Sequence, residues 1–300
     1  MRQAHVIPTV IGGIQACGNP PKRGERSIGA ILIDAGRLAP EDAERVLRLQ
    51  REQGLRFGDA ATQLGVLTQA DVLFALSRQF DYPYLLRGES AVSEDLIAAY
   101  APFGPEAEAM RALRDQLMLR WFDTDPDRKA LAIISAARNE GRSFIAANLA
   151  VVFSQLGRHT LLIDANMRNP SQHTLFGLEN RAGLSGVLSG RCGAEAVQRI
   201  PELVELSVLP AGALPPNPSE LLARPLFSEC LRELKKEFDV ILLDTPAAAK
   251  FGDAQTVTIR AGAALIVVRK NATRMWQVRA IADNSGQASA TVIGTVLNEF

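Results

Sequence analysis

Two apolar runs in this 300-residue chain end in aspartate, Leu161-Leu162-Ile163-Asp164 and Val240-Ile241-Leu242-Leu243-Asp244. A third, Leu131 to Ser135, leads into Ala136-Ala137-Arg138-Asn139-Glu140-Gly141-Arg142-Ser143. A strand, a tight loop and a helix N-terminus make an anion site, because free backbone N–H groups and the helix dipole both face the ligand. In the usual P-loop a lysine follows the last glycine and reaches the β/γ-phosphates, and the next Ser or Thr holds magnesium. Gly141 and Ser143 fit that spacing, but Arg142 occupies the lysine position. Taken alone, the loop reads equally well as a strand-to-helix turn with a capping serine. The aspartates decide between the two. Carboxylates at the C-terminal ends of parallel strands lie on the edge where ligands bind in open α/β sheets. Magnesium with its waters gives each apolar run a reason to end in Asp. The expected nucleotide contacts are Asn139, Glu140, Gly141, Arg142, Ser143 and Phe144, with Ser143, Asp164 and Asp244 as magnesium ligands.

The elements that must carry these residues are visible as alternation. Apolar runs bounded by turn residues fall at Leu131–Ser135, Thr160–Asp164, Leu206–Pro210, Val240–Asp244, Ala264–Arg269 and Thr291–Leu297. Helical patterns fill most gaps, at Ser143–Leu156, Ser219–Phe238 and Thr273–Ser285. Continuous apolar strands alternating with helices predict a parallel sheet covered on both faces. The expected fold is thus α/β, a P-loop NTPase-like parallel sheet over residues 130–300.

Upstream, residues 1–25 read as a flexible leader rich in Gly, Pro and polar residues. A shift of 29 residues then aligns Gly29 with Gly58, Gly36 with Gly65, Leu38 with Leu67 and Leu47 with Leu76. Each copy reads as a short helix, a glycine-marked turn and a longer helix, so residues 26–85 form a small helical repeat domain. Residues 86–129 read as a linker followed by a helix over Glu106–Phe122 that ends near Pro126.

The formal net charge is zero, which argues against a nucleic-acid or anionic-membrane partner. Cys17, Cys192 and Cys230 lie far apart with no CxxC and no nearby histidine pair, which argues against a disulfide framework or a zinc site and suits a reducing cytoplasm. No stretch reaches the roughly 18 consecutive apolar residues of a membrane helix. The N-terminus does not read as a signal peptide.

At this point residues from about 104 onward resemble the bacterial tyrosine kinases (BY-kinases) that partner polysaccharide chain-length determinants. Ser135–Ser143 is similar to that family's Walker A, Leu161–Pro170 to its Walker A′ and Phe238–Pro246 to its Walker B. Gly212-Ala213-Leu214-Pro215-Pro216-Asn217-Pro218 and Gly252-Asp253-Ala254 fit as well. Glu108, Arg111 and Arg114 match the ExxRxxR helix, which the resemblance implies is an oligomerisation element. Among subfamilies the EpsG-type kinases look closest. The N-terminal repeat resembles the N-terminal domain of type II secretion and pilus ATPases, some of which bind cyclic di-GMP. That resemblance points to Arg26, Gly29, Arg56 and Gly58, against a docking or oligomerisation module as the alternative.

The resemblance implies ATP and Mg2+ as cofactors, Arg142, Asp164 and Asp244 as catalytic residues, and Asp164 as the base. It also implies a membrane chain-length determinant (polysaccharide co-polymerase) as partner, a homo-oligomer, and a cytoplasmic place at the inner membrane through that partner. The departures from the family matter equally. Arg142 replaces its lysine, Asn166 its second Walker A′ acid, and Arg138-Asn139 its proline and glycine; its C-terminal tyrosine cluster is missing, the tyrosines here being Tyr82, Tyr84 and Tyr100. Nucleotide binding with weakened phosphotransfer is the expectation, and a non-catalytic, nucleotide-responsive scaffold is the alternative. A partitioning ATPase is disfavoured, because Ala137 stands where those proteins carry a signature lysine.

Overall fold

The computed structural model describes residues 26–80, 83–249 and 251–299. The expected leader, Tyr82 and Phe300 lie outside the described residues. The chain divides into two units, with the boundary after residue 82.

The first unit contains α1 (Ile28–Asp34), α2 (Pro40–Gln53), α3 (Phe57–Gln63) and α4 (Gln69–Phe80). α1 packs against α4 and α2 against α3, so the two sequence copies interlock. Gly36 and Gly65, equivalent in the repeat, both take positive φ after the first helix of each copy (68° and 67°), a conformation that costs glycine least. The core pairs large with small at equivalent positions. Leu32 and Val46 of copy one are fully buried beside Ala61 and Ala75 of copy two. The copies differ at their starts: Ser27 caps α1 by accepting the Ala30 N–H at 3.3 Å, while its counterpart Arg56 makes no side-chain cap to α3.

The second unit opens with α5 (Ile97–Tyr100) and α6 (Pro105–Arg120). There follow β1 (Ala130–Ser135), α7 (Arg142–Gln155), β2 (Thr160–Asp164), α8 (Gln172–Leu175) and α9 (Leu184–Leu188). Next come β3 (Gln198–Arg199), β4 (Leu206–Leu209), α10 (Pro218–Ala223), α11 (Pro225–Glu237) and β5 (Val240–Asp244). The unit closes with α12 (Asp253–Ala261), β6 (Ala263–Arg269), α13 (Met275–Gln287) and β7 (Thr291–Asn298). The seven strands form one sheet in the order β3-β4-β2-β5-β1-β6-β7, parallel except for the short β3–β4 pair.

Strand residues alternate between two cores. Leu131 and Ile133 point to the face covered by α5, α6 and α7, while Ala130, Ala132 and Ile134 point to the face covered by α9 through α13. α7 is buried at every position from Ile145 to Ser154, as a helix wedged between sheet and outer helices must be. Asn148, fully buried, ties it to α5: its Oδ1 accepts the Ala98 N–H at 3.0 Å and its Nδ2 donates to the Phe144 carbonyl at 3.0 Å. The single helix expected over 219–238 is two helices. Pro225 forces Arg224 into an extended conformation (φ −62°, ψ 144°), which breaks α10 from α11. The short helices α5, α8 and α9, together with α12 and β3, have no counterpart in the sequence expectations.

Candidate functional site

Parallel register carries the chemistry to one edge. β2, β5 and β1 are consecutive neighbours in the sheet, so Asp164, Asp244 and the loop after Ser135 emerge side by side. Asp164 and Asp244 are register partners, which separates their backbones by about one strand spacing, ~4.8 Å. The loop 136–141 ends in Gly141 at φ 85°, and α7 starts at Arg142 with its first N–H groups directed at the same edge. A cleft of about 600 Å³ opens there. Asn139, Glu140, Gly141, Arg142, Ser143 and Phe144 all line it, whereas Asp164 and Asp244 lie fully buried beneath.

Arg142 does not extend into the cleft. Its side chain is 8% exposed and folds inward, with Nε donating to Asp244 Oδ1 at 3.2 Å and Nη1 donating to Ser135 Oγ at 2.6 Å. The other Asp244 oxygen accepts from Gln172 Nε2 at 2.8 Å. Asp164 accepts three backbone N–H groups, from Asn166 at 3.1 Å, Ser171 at 2.9 Å and Gln172 at 3.0 Å. Burial, and next the charge of Asp244, push the Asp164 carboxyl up to about 7, against the pull of those N–H donors. The guanidinium thus serves Asp244, and the charge of the neighbouring Asp164 is relieved by a proton or by another cation.

The donor set fits magnesium. All the available ligands are oxygens, and among the described residues no group of three or more His, Cys, Asp or Glu gathers. Magnesium is usually held by one or two carboxylates, with phosphates and water completing the octahedron. Beside the acids, Gln172 Oε1 and Ser171 Oγ are buried without a protein partner among the described residues. Such atoms suit ion-bound water.

Asn166 is built into a turn rather than aimed at the acids. Its Nδ2 donates to the Asn169 carbonyl at 2.8 Å and its Oδ1 accepts the Asn169 N–H at 3.3 Å. Farther along the cleft, Arg168 binds the buried Asp253 (Nε to Oδ2, 2.7 Å) and donates to Ser219 Oγ at 2.9 Å. Its guanidinium also lies 3.7 Å from the Phe251 ring centroid. Gln172 and Phe251 carry no motif signal, and spacing alone could not have found them.

The remaining expected site residues lie elsewhere. Arg114 is buried and donates to the Val152 carbonyl of α7 at 3.1 Å, and Arg111 bonds Glu108 and the Pro102 carbonyl. Glu108 is 71% exposed. In the first unit Arg26 pairs with Asp34 at 2.9 Å and Arg56 is exposed. A Cβ on Gly29 would stand 3.2 Å from the Phe57 ring, and one on Gly58 would stand 2.7 Å from Val72.

A three-layered α/β unit with a phosphate-type loop beside paired aspartates defines a P-loop NTPase-like fold. No protein-family model matches the chain. It is 33% identical over 209 residues to the tyrosine-protein kinase YwqD of Bacillus subtilis, covering 70% of this chain and 87% of that protein. Among solved structures, the chimerical protein CapA2B2 aligns with a TM-score of 0.64 at 32% identity over 77% of this chain and 98% of its own. The kinase domain of the Escherichia coli tyrosine kinase ETK aligns with a TM-score of 0.67 at 29% identity, covering 71% and 82%. The chain belongs to the bacterial tyrosine-protein kinase family.

Proposed function

We propose that the second unit binds ATP with Mg2+ in the cleft at the sheet edge and acts in exopolysaccharide assembly with a membrane chain-length determinant. The observation that carries this reading is the register pairing of Asp164 with Asp244 next to the loop that opens α7. In it, the N–H groups at the start of α7 hold phosphate, and Ser143, Asp164 and Asp244 hold the metal. When bound, magnesium supplies the positive charge that phosphoryl transfer needs. Asp164, at the strand end beside the phosphate loop, is the residue the family resemblance assigns to take the acceptor hydroxyl's proton. Arg142 stays with Asp244 or turns to the phosphates. Asp164→Ala and Asp244→Ala are expected to weaken ATP–Mg binding, and calorimetry on the purified variants checks it.

A second reading has its own support. Arg142 covers one of the two acids, and Asn166 is committed to a turn. Both features favour a nucleotide-responsive scaffold over an efficient kinase. Incubation with ATP–Mg and the partner's cytoplasmic tail, read by mass spectrometry, separates them: phosphotyrosine on either protein supports the kinase, and bound nucleotide without it supports the scaffold.

Other assignments rest on resemblance. The Glu108 carboxylate, exposed although it pairs with Arg111, is the part of the ExxRxxR helix that would meet another copy, with Arg114 anchoring the helix from within. Domain limits of 26–85, 86–129 and 130–300, and a cytoplasmic place at the inner membrane through the partner, belong to the same proposal. Cyclic di-GMP binding by residues 26–85 would use the exposed Arg56 with Arg26, and a thermal shift on adding the dinucleotide tests it.

A further inference from the structure

Resting on the nucleotide reading above, we propose that Thr273 and Asn298, 130 or more residues beyond the phosphate loop, are positioning residues that aim its N–H groups at phosphate. The loop has an unusual backbone: Asn139 (φ 60°) and Gly141 (φ 85°) are both left-handed. An asparagine tolerates that region better than most residues, but something must hold it there.

The hold comes from the ends of β6 and β7. Arg269 Nη1 donates to the Asn139 carbonyl at 3.2 Å, and Asn298 Nδ2 donates to the Glu140 carbonyl at 3.2 Å. In a trans peptide the C=O and the following N–H point in opposite directions. Drawing these two carbonyls outward therefore turns the N–H groups of Glu140 and Gly141 toward the cleft that both residues line. Among the described residues, neither of those N–H groups has a protein acceptor. The Glu140 side chain completes the brace. It is 3% exposed, its Oε2 accepts the Ala137 N–H at 2.8 Å, and its Oε1 accepts the Thr273 hydroxyl. The Thr273 oxygen in turn accepts the Arg269 N–H at 2.9 Å. Donors converge on the Glu140 carboxylate from both sides: the Arg269 N–H polarises the Thr273 hydroxyl that bonds one oxygen, and the Ala137 N–H of the loop bonds the other.

Buried carboxylates beside a phosphate site repel the ligand, so Glu140 needs a function that offsets its charge. Shaping the loop is that function.

The test compares Thr273→Val with Thr273→Ser in the full chain. Thr273→Val weakens ATP–Mg binding about tenfold, the equivalent of one hydrogen bond to a charged group. It also speeds exchange of the Ala137 amide, the loop N–H that Glu140 holds, in the nucleotide-free protein while the melting temperature barely moves. Thr273→Ser, which keeps the hydroxyl, restores both. Loop exchange unchanged in Thr273→Val overturns the brace, as does exchange that rises throughout the protein with a fall in melting temperature. Wild-type protein that fails to bind ATP–Mg overturns the nucleotide reading instead, and the exchange comparison decides the brace without it.

Discussion

A guanidinium can lie along two acceptors at once, and at position 142 it spans Asp244 and Ser135. A lysine ammonium is a single point charge and cannot hold both with the same geometry. Arg142→Lys is therefore expected to release Asp244 for the metal and tighten ATP–Mg binding severalfold, read by calorimetry. Arg142→Ala leaves Asp244 buried beside Asp164 without its cation, and should cost about 3–5 kcal/mol in urea unfolding. Asp164 adds a pH dependence. Its carboxyl is raised from 3.8 to about 7 in the folded protein, so between those values the native state binds more protons than the unfolded chain. Stability of the nucleotide-free protein then falls as pH rises through that window, and levels above it. The difference in melting temperature between wild type and Asp164→Asn, followed from pH 4 to pH 8, isolates this contribution. A difference that does not vary with pH would count against it. At Asn166 an aspartate would not simply restore the family's second acid. A carboxylate there loses the donated bond and faces the Asn169 carbonyl.

At the scale of elements, the repeat gives a prediction whose sign depends on two opposed magnitudes. Replacing a helical glycine by alanine ordinarily gains up to ~1 kcal/mol. At Gly58 the new Cβ would stand 2.7 Å from Val72 Cγ1, and overpacking of that kind costs ~1–3 kcal/mol. Gly58→Ala is expected to destabilise the first unit, with faster amide exchange in α3 and α4. The cap of α4 is a second weak point. Thr68 and Asp71 exchange side chain-to-backbone bonds at 3.0 and 3.2 Å, and Asp71 also meets Arg37 at 3.0 Å. Loss of such a cap costs ~1 kcal/mol, so Asp71→Ala should fray α4 in the same exchange measurement. The element scale also marks what could be read beforehand. Five of the six long strands were legible because each is an apolar run buried on both faces over most of its length, and β7, at the sheet edge with Thr291, Thr295 and Leu297 exposed, was legible from its β-branched residues alone. The break at Arg224 was present in the sequence as Pro225 but was outweighed by the helical pattern on both sides. α12 mixes β-branched and polar residues without strong periodicity, and β3 is a two-residue pairing, so tertiary packing rather than local pattern defines them.

For the whole molecule, the candidate site was legible where strand ends and loop chemistry coincide, at Gly141, Ser143, Asp164 and Asp244. It was not legible where distant segments meet. Gln172 on Asp244, Arg168 on Asp253 and Thr273 on Glu140 are products of the topology, and no local spacing announces them. Family membership is shared with proteins named as tyrosine kinases, and no helix among the described residues is long and apolar enough to cross a membrane. The central claim is that this edge of the sheet binds ATP through the metal-bearing acids. Titration calorimetry of ATP into the wild-type chain, with and without magnesium, tests it most directly. The account predicts saturable binding with magnesium that weakens strongly in its absence and in Asp244→Ala. Absence of binding by the wild-type protein, or binding indifferent to both magnesium and Asp244, would contradict it.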